Sequence, residues 1–277
     1  MRKPPPLRAP GESALSKHRK RVRAQPRDAA SKRFLSYANL QTKLAAFEHR
    51  AGPATLEDAE VFRGLNEGPE GDFMGMLLKH DLRTLNEGER VNDEIINGMG
   101  KLTEARGSGV DRRPYVFLHS FIDTLSSGGF ASVKRWTARG LGKADVYARR
   151  GVFFPVNVDD EHWILIVADV VARTLTSYDS LGREHSTRLG LIERYLVDEY
   201  ADKRRGEALP WTWTLVNAMK TTPQQTNAVD CGVFVIATLD VLHRAFELGV
   251  EPDFWFSQQD MPRLRLQALR DLVRGHV

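Results

Sequence analysis

Cys231 is the only cysteine of the chain, preceded by Asp230 and followed by Gly232 and the apolar run Val233-Phe234-Val235-Ile236. With Asp230 as cap, the thiol falls in the first turn of a helix. There, unpaired backbone N–H groups and the helix dipole favour thiolate over thiol. A small buried hydrophobe is the commoner fate of a free cysteine, so position alone leaves both readings open. Three other residues add weight to the first. His162 heads an apolar run that ends at Ala168, an awkward place for an imidazole unless it serves as a base. Asp179 closes the next strand pattern, where it can orient that base. Gln225 lies six residues before Cys231, near enough to aim its amide where the Cys231 backbone N–H points, as an oxyanion donor. Taken together, His162, Asp179, Gln225 and Cys231 supply a nucleophile, its base, an orienter and an electrophilic stabiliser for attack on a carbonyl.

Several elements must carry these residues. Strands are expected at 152–156, 162–168 and 174–178, the last stopping at the turn signal Asp179-Ser180-Leu181-Gly182, with a further strand at 211–216. The 162–168 run is apolar throughout, as in a strand covered on both faces. A helix is expected over about 187–203, and another from Cys231 to Phe246 that is apolar nearly all round and therefore central. A last amphipathic stretch covers 260–273. Upstream, Asn92-Asp93 opens a short helix with Ile95 and Ile96 inward. Phe130, Val133 and Trp136 mark one face of a helix over 129–139. The fold class is α+β: a mixed central sheet packed by helices, with a buried central helix carrying the nucleophile.

Composition bounds the rest. The 277 residues are 42% hydrophobic and 27% charged, which excludes collagen-like, low-complexity and wholly disordered classes. No apolar run approaches the ~20 residues of a membrane span, and the N-terminus lacks the pattern of a secretory signal. One cysteine excludes an intrachain disulfide and favours a reducing compartment. Net charge is +4, unevenly spread. Residues 1–33 hold eleven Lys/Arg against Glu12 and Asp28, leaving −5 for residues 34–277. This first segment, with Pro4-Pro5-Pro6 and little periodicity, reads as a disordered basic tail. Its Lys17-His18-Arg19-Lys20-Arg21 suits nuclear import or weak phosphate contacts. The acidic remainder argues against nucleic-acid binding as the main task. Residues 34–71 read as an N-terminal helical extension, and 72–277 as the main domain. No His/Cys/Asp cluster has metal-ligand spacing, so no metal or other cofactor is expected. His49, His80, His119, His185 and His243 have no matched partners and read as structural or exposed.

Three segments carry a family resemblance. Glu161-His162-Trp163, Tyr178-Asp179-Ser180-Leu181 and Pro223-Gln224-Gln225-Thr226-Asn227-Ala228-Val229-Asp230-Cys231-Gly232 resemble the signature segments of the ubiquitin-like protease (Ulp/SENP) family. Asp81–Leu85, Asn92–Ile96, Gly129–Trp136 and Phe153–Asn157 are similar to its upstream segments, in the same order. The resemblance implies a papain-like cysteine protease fold and cleavage after the C-terminal Gly-Gly of SUMO-like modifiers. His162 would be general base and acid, Asp179 its orienter, Cys231 the nucleophile and Gln225 the oxyanion donor. It also implies that Trp163 covers a narrow channel for the Gly-Gly tail and that Asp93 contacts the body of the modifier, although capping a helix serves Asp93 equally well. At the family's second channel tryptophan stands Arg90, so either its guanidinium or another aromatic such as Phe130 walls that side. The partner implied is SUMO or a related modifier and its conjugates, with a monomeric enzyme in the nucleus or cytoplasm of a eukaryotic cell, as a resident or a delivered effector. Alternatives are a ubiquitin or NEDD8 protease of the same fold, an acyltransferase with a similar His–acid–Cys site, and a modifier-binding protein without catalysis.

Overall fold

The computed structural model describes residues 72–73, 77–106, 114–137 and 145–274. The expected tail (1–33) and the expected extension (34–71) lie outside the described residues, as does His49. The described elements run β1 (Asp72–Phe73), β2 (Leu77–Leu78), α1 (Lys79–Arg83), α2 (Asp93–Arg106), β3 (Tyr115–Val116) and α3 (Ser120–Val133). They continue with β4 (Gly151–Val158), β5 (His162–Asp169), β6 (Thr174–Tyr178), α4 (Ser186–Lys203), β7 (Thr214–Asn217), α5 (Cys231–Leu248) and α6 (Met261–Arg274).

β3 to β7 form one five-stranded sheet in sequence order. The inner pairs β4–β5 and β5–β6 are antiparallel, and the outer pairs β3–β4 and β6–β7 are parallel. The sheet is therefore mixed, as the strand patterns imply, and both its faces are covered. On β5, Trp163, Leu165 and Val167 belong to one core with Cys231, Val233 and Phe234 of α5 and Ile95, Ile96 and Met99 of α2. The intervening Ile164, Ile166 and Ala168 belong to a second core with Phe121 and Leu125 of α3 and Leu189, Ile192 and Tyr195 of α4. The continuous apolar run is two alternating apolar faces. Burying each large side chain contributes about 1.5–3 kcal/mol, and a one-residue slip would move all of them to the wrong face. Register at His162 is fixed by that constraint.

α5 lies in the first core and is buried on nearly every side. It ends where Gly249 adopts the left-handed conformation (φ 69°) and returns its N–H to Ala245 O at 2.8 Å, a terminus only glycine makes without strain.

Some elements differ from the sequence reading. The helix opened by Asn92-Asp93 is long, 14 residues, and its cap is Asn92, whose Oδ1 accepts the Ile95 N–H at 3.2 Å. The helix expected over 129–139 is α3, which begins at Ser120 and is interrupted at Gly129 (φ 63°, ψ −168°). In the strand expected at 211–216, Trp211 and Trp213 meet edge to face, centroids 4.8 Å apart at 71°, and ladder pairing begins at Thr214.

Candidate active site

The register of β5 against β6 pairs Leu165 with Tyr178. Asp179, one residue beyond Tyr178, thus comes alongside the beginning of β5, and His162 Nε2 bonds Asp179 Oδ1 at 2.6 Å. An ionised carboxylate only accepts, so Nε2 carries the hydrogen and Nδ1 is left for the sulfur. The His162 ring is hydrogen-bonded to Cys231. All three residues are buried, at 5%, 2% and 2% exposure for His162, Asp179 and Cys231, so solvent screens their charges little.

Electrostatics follows from that geometry. Burial alone would lower His162, but the hydrogen bonds and charges of Asp179 and Cys231 outweigh it and raise it from 6.5 to about 9. Burial alone would push the Cys231 thiol up. Hydrogen bonds from His162 and from the backbone N–H groups of Trp163 and Gly232 bring it below its ordinary value. Asp179 is likewise pulled well below the usual carboxylate range, against burial, by His162, His185 and the Leu181 N–H. The favoured state is an imidazolium–thiolate pair beside a carboxylate.

The Asp179 turn also holds Gln225. Gly182, at φ 67°, lets the turn close with its N–H on Asp179 O at 3.0 Å. Ser180 gives its hydroxyl to Gln225 Oε1 at 2.6 Å and accepts the Gln225 N–H on its carbonyl at 2.9 Å. The Gln225 amide nitrogen spends one hydrogen on Asn227 O at 2.6 Å, and its second hydrogen remains for another acceptor.

Asp230 occupies the cap position of α5, but its side chain makes no capping bond. Its carboxylate is taken instead by Arg265 at 2.6 and 3.0 Å, Asn227 at 2.6 Å and Gln258 at 2.6 Å. The first-turn N–H groups around Cys231 are thereby left uncapped by Asp230.

A cleft of about 430 Å³ opens beside Cys231, lined by Arg90, Asp93, His119, Asp160, Glu161 and Trp163 among others. Arg90 is exposed and reaches the Glu161 carbonyl at 3.4 Å. The indole of Trp163 is buried, with its N–H on Val91 O at 3.0 Å. Asp93, first residue of α2, has its carboxylate 3.3 Å from His119 Nε2. Phe130 is elsewhere, in the second core near Tyr195, and so does not wall the cleft. Four histidines read as partnerless are partnered, among them His80, whose Nε2 lies 3.1 Å from Asp81 Oδ1. His119 meets Asp93 and Asn97, and His185 Nε2 bonds the second oxygen of Asp179 at 2.8 Å. The residue six positions after Asp179, across a turn, was the only sequence signal for the latter. His243 is buried in α5 with its Nδ1 3.8 Å from Glu247 Oε2, and burial lowers it to about 4.

A mixed sheet carrying a histidine at a strand head, against a buried helix that begins with cysteine, has the architecture of the papain-like cysteine proteases. Residues 89–273 match the family model "Ulp1 protease family, C-terminal catalytic domain", and the chain belongs to that family. It is 34% identical over 197 residues to mouse sentrin-specific protease 5, covering 71% of this chain and 24% of that protein. To a Caenorhabditis elegans sentrin-specific protease it is 35% identical over 225 residues, covering 80% of this chain and 31% of that protein. The chain therefore spans about a quarter to a third of the length of these relatives. Among solved structures, the C-terminal Ulp1 protease domain in complex with Smt3, the yeast ortholog of SUMO, superposes with a TM-score of 0.66 at 21% identity, over 81% of this chain and 97% of that one. The Chaetomium thermophilum Ulp1-like SUMO protease catalytic domain gives 0.67 at 20% identity, over 81% and 91%. These likenesses fix the fold.

Proposed function

We propose that this chain is a cysteine peptidase that hydrolyses the bond after the C-terminal Gly-Gly of SUMO or a related ubiquitin-like modifier, releasing it from lysine side chains or from a precursor. The observation that carries the reading is the buried His162–Asp179 bond at 2.6 Å with the ring turned to the sulfur of Cys231. The thiolate attacks the glycine carbonyl, and the oxyanion is held by the Cys231 N–H and the second amide hydrogen of Gln225. His162 passes its proton from Nδ1 to the departing amine, leaving a thioester. Neutral His162 then takes a proton from water, whose oxygen attacks the thioester and frees the sulfur. Asp179 keeps the ring in the Nε2–H tautomer throughout.

The tail lies in the cleft between Trp163 and Arg90, with Asp93 towards the body of the modifier. None of these steps draws on a metal or other cofactor. Modification by SUMO occurs in the eukaryotic nucleus and cytoplasm, both reducing, which agrees with a free nucleophilic thiol. The names of the relatives, sentrin-specific proteases, and of the solved SUMO proteases support SUMO as the modifier.

The test is reaction with SUMO, NEDD8 and ubiquitin derivatives whose C-terminal Gly-Gly ends in an electrophile, using wild type and Cys231→Ala. A covalent SUMO adduct that disappears in Cys231→Ala is expected. Labelling by ubiquitin alone would reassign the substrate, and an adduct surviving in Cys231→Ala would remove Cys231 as nucleophile.

A further inference from the structure

Asp179 is shared by two imidazoles. One oxygen accepts from His162 at 2.6 Å and the Leu181 N–H at 2.7 Å; the other accepts from His185 at 2.8 Å and the Arg183 N–H at 3.3 Å. His185 is 5% exposed, and its Nδ1 has no hydrogen-bond partner among the described residues. A buried ring with one unsatisfied nitrogen is a cost that an apolar side chain would avoid. Its backbone is pinned as well: the His185 N–H goes to Asn217 Oδ1 at 2.9 Å, which also accepts from Ser177 Oγ at 2.7 Å, and its carbonyl accepts from Leu189 at 2.9 Å. β6, β7 and the start of α4 thus aim the ring at Asp179.

We propose that His185 is a positioning residue of the reaction, its Nε2–H fixing the plane of the Asp179 carboxylate and drawing off part of the charge that Asp179 offers to His162. The inference rests on the His162–Asp179–Cys231 reading above. Its chemical sense lies in the two half-reactions. Expelling the amine requires His162 as imidazolium, whereas hydrolysing the thioester requires it neutral. A carboxylate devoted to His162 alone would hold that proton too firmly for the second step, and sharing it with a second donor eases release. Charged or neutral, His185 donates to Asp179 and acts in the same direction. The titratable side chains acting on this centre are few. His162 and His185 are hydrogen-bonded to Asp179, Asp179 and Cys231 act on His162, and the flanking Arg183 and Glu184 side chains are exposed.

The test uses the full chain and a SUMO whose C-terminal glycine carries a fluorogenic amine, with kcat and KM followed across pH for wild type, His185→Leu and His185→Gln. In His185→Leu the alkaline limb, which marks loss of the His162 imidazolium, should move up by about 0.5–1 pH unit. With KM unchanged, kcat near neutrality should fall about 3- to 10-fold. His185→Gln, which keeps an N–H of similar reach, should return the limb to its wild-type position. An unmoved limb in a His185→Leu protein of normal melting temperature would overturn the inference, as would equal limb positions in the Leu and Gln variants. Should His185→Leu not fold, imidazole ¹⁵N–¹H spectra of the wild-type chain decide: hydrogen on His185 Nε2 is expected, and hydrogen on Nδ1 alone refutes the contact. Full turnover by Cys231→Ala would sink the catalytic reading itself. An inactive Cys231→Ala alongside an indifferent His185→Leu would sink only this proposal.

Discussion

Trp163 and Val91, 72 residues apart, are joined by an indole N–H donated to a backbone carbonyl at 3.0 Å. The bond ties the head of β5, where His162 sits, to the loop that carries Arg90. Gly232 fits against both: a Cβ built there would lie 2.9 Å from Val91 Cβ and 3.4 Å from Trp163 Cδ1. Three chain segments meet at a spot without room for a methyl group, and the residue next to the nucleophile is the one that makes the approach possible.

Gly232→Ala should therefore push the start of α5 away from β5. Overpacking of this kind costs roughly 1–3 kcal/mol, and the neighbouring Sγ–imidazole contact would lengthen with it. A lower melting temperature is expected together with a loss of turnover beyond what the unfolded fraction explains. Wild-type turnover per folded molecule would show that the close approach is unimportant to the site.

The pH behaviour follows from the signs of the shifts. His162 is raised from 6.5 to about 9, so its charged form persists until the pH nears 9. Cys231 is lowered, so its thiolate forms below the ordinary thiol range. Alkylation of Cys231 by iodoacetamide should rise to its plateau at lower pH than an ordinary thiol, whose midpoint is about 8.5. Peptide-bond cleavage should decline as the pH passes about 9. In Asp179→Asn the window narrows from both sides, because the imidazolium loses its carboxylate and the thiolate its imidazolium. A fall in kcat on the order of 10²–10⁴ is expected. Alkylation profiles that coincide for the two proteins would show that Asp179 does not support the pair.

Gln225→Ala removes an amide that Ser180 and Asn227 hold at both ends. Its effect should fall on kcat, by roughly 100- to 1000-fold, since an oxyanion donor acts in the transition state and little in the ground state. Binding of a SUMO tail by the Cys231→Ala, Gln225→Ala double variant, measured by calorimetry, should match that of Cys231→Ala alone. A loss confined to binding would make Gln225 a substrate contact.

Arg90 reaches the Glu161 carbonyl at 3.4 Å from an exposed position, so folding draws little on it. Arg90→Ala should leave the melting temperature nearly unchanged, as surface substitutions usually stay within about 0.5 kcal/mol. On the channel-wall reading, KM for a Gly-Gly substrate rises several-fold in Arg90→Ala and recovers in Arg90→Trp, which restores a flat wall. Unaltered KM in both variants would place the tail elsewhere.

What the sequence made legible depends on whether the signal was local. β5 and α5 stood out because their apolar runs reflect burial on two faces and on all sides. His162, Asp179 and Cys231 are conspicuous because each interrupts or ends such a run. β3 leaves no local signal, since two residues carry no periodicity and its pairing partner lies in β4. The periodicity that marks α3 begins late because serine and threonine, weak helix formers, fill its early turns. Their hydroxyls bond back along the helix (Thr124 to Ser120 O, Ser127 to Asp123 O, both 2.8 Å), while Phe121, Ile122 and Leu125 supply the packing. Asp230 was expected to cap because residues 230–231 look like a helix start. The guanidinium that claims its carboxylate lies 35 residues downstream, outside any local pattern. His185 carries no local signal for a related reason: its meaning lies in the fold of one turn.

Arg265 is where that long-range information becomes testable. It is 2% exposed, and its donors are spent on Asp230 at 2.6 and 3.0 Å and on the carbonyls of Thr84, Asn86, Glu89 and Val229 at 3.1, 3.0, 2.7 and 3.4 Å. One side chain of α6 thereby fixes both the residue before Cys231 and the loop leading to Arg90. A point charge cannot reproduce that fork, so Arg265→Lys should be far from conservative. Arg265→Ala leaves the Asp230 carboxylate and four carbonyls without this donor, and losing one partner of a buried pair costs about 3–5 kcal/mol. Urea unfolding should show this as a large drop in midpoint. The double variant Arg265→Ala, Asp230→Ala should recover part of it, because no uncompensated carboxylate remains. If the double variant is as unstable as the sum of the singles, the two side chains are not coupled, and the anchoring of the nucleophile's helix lies in other contacts.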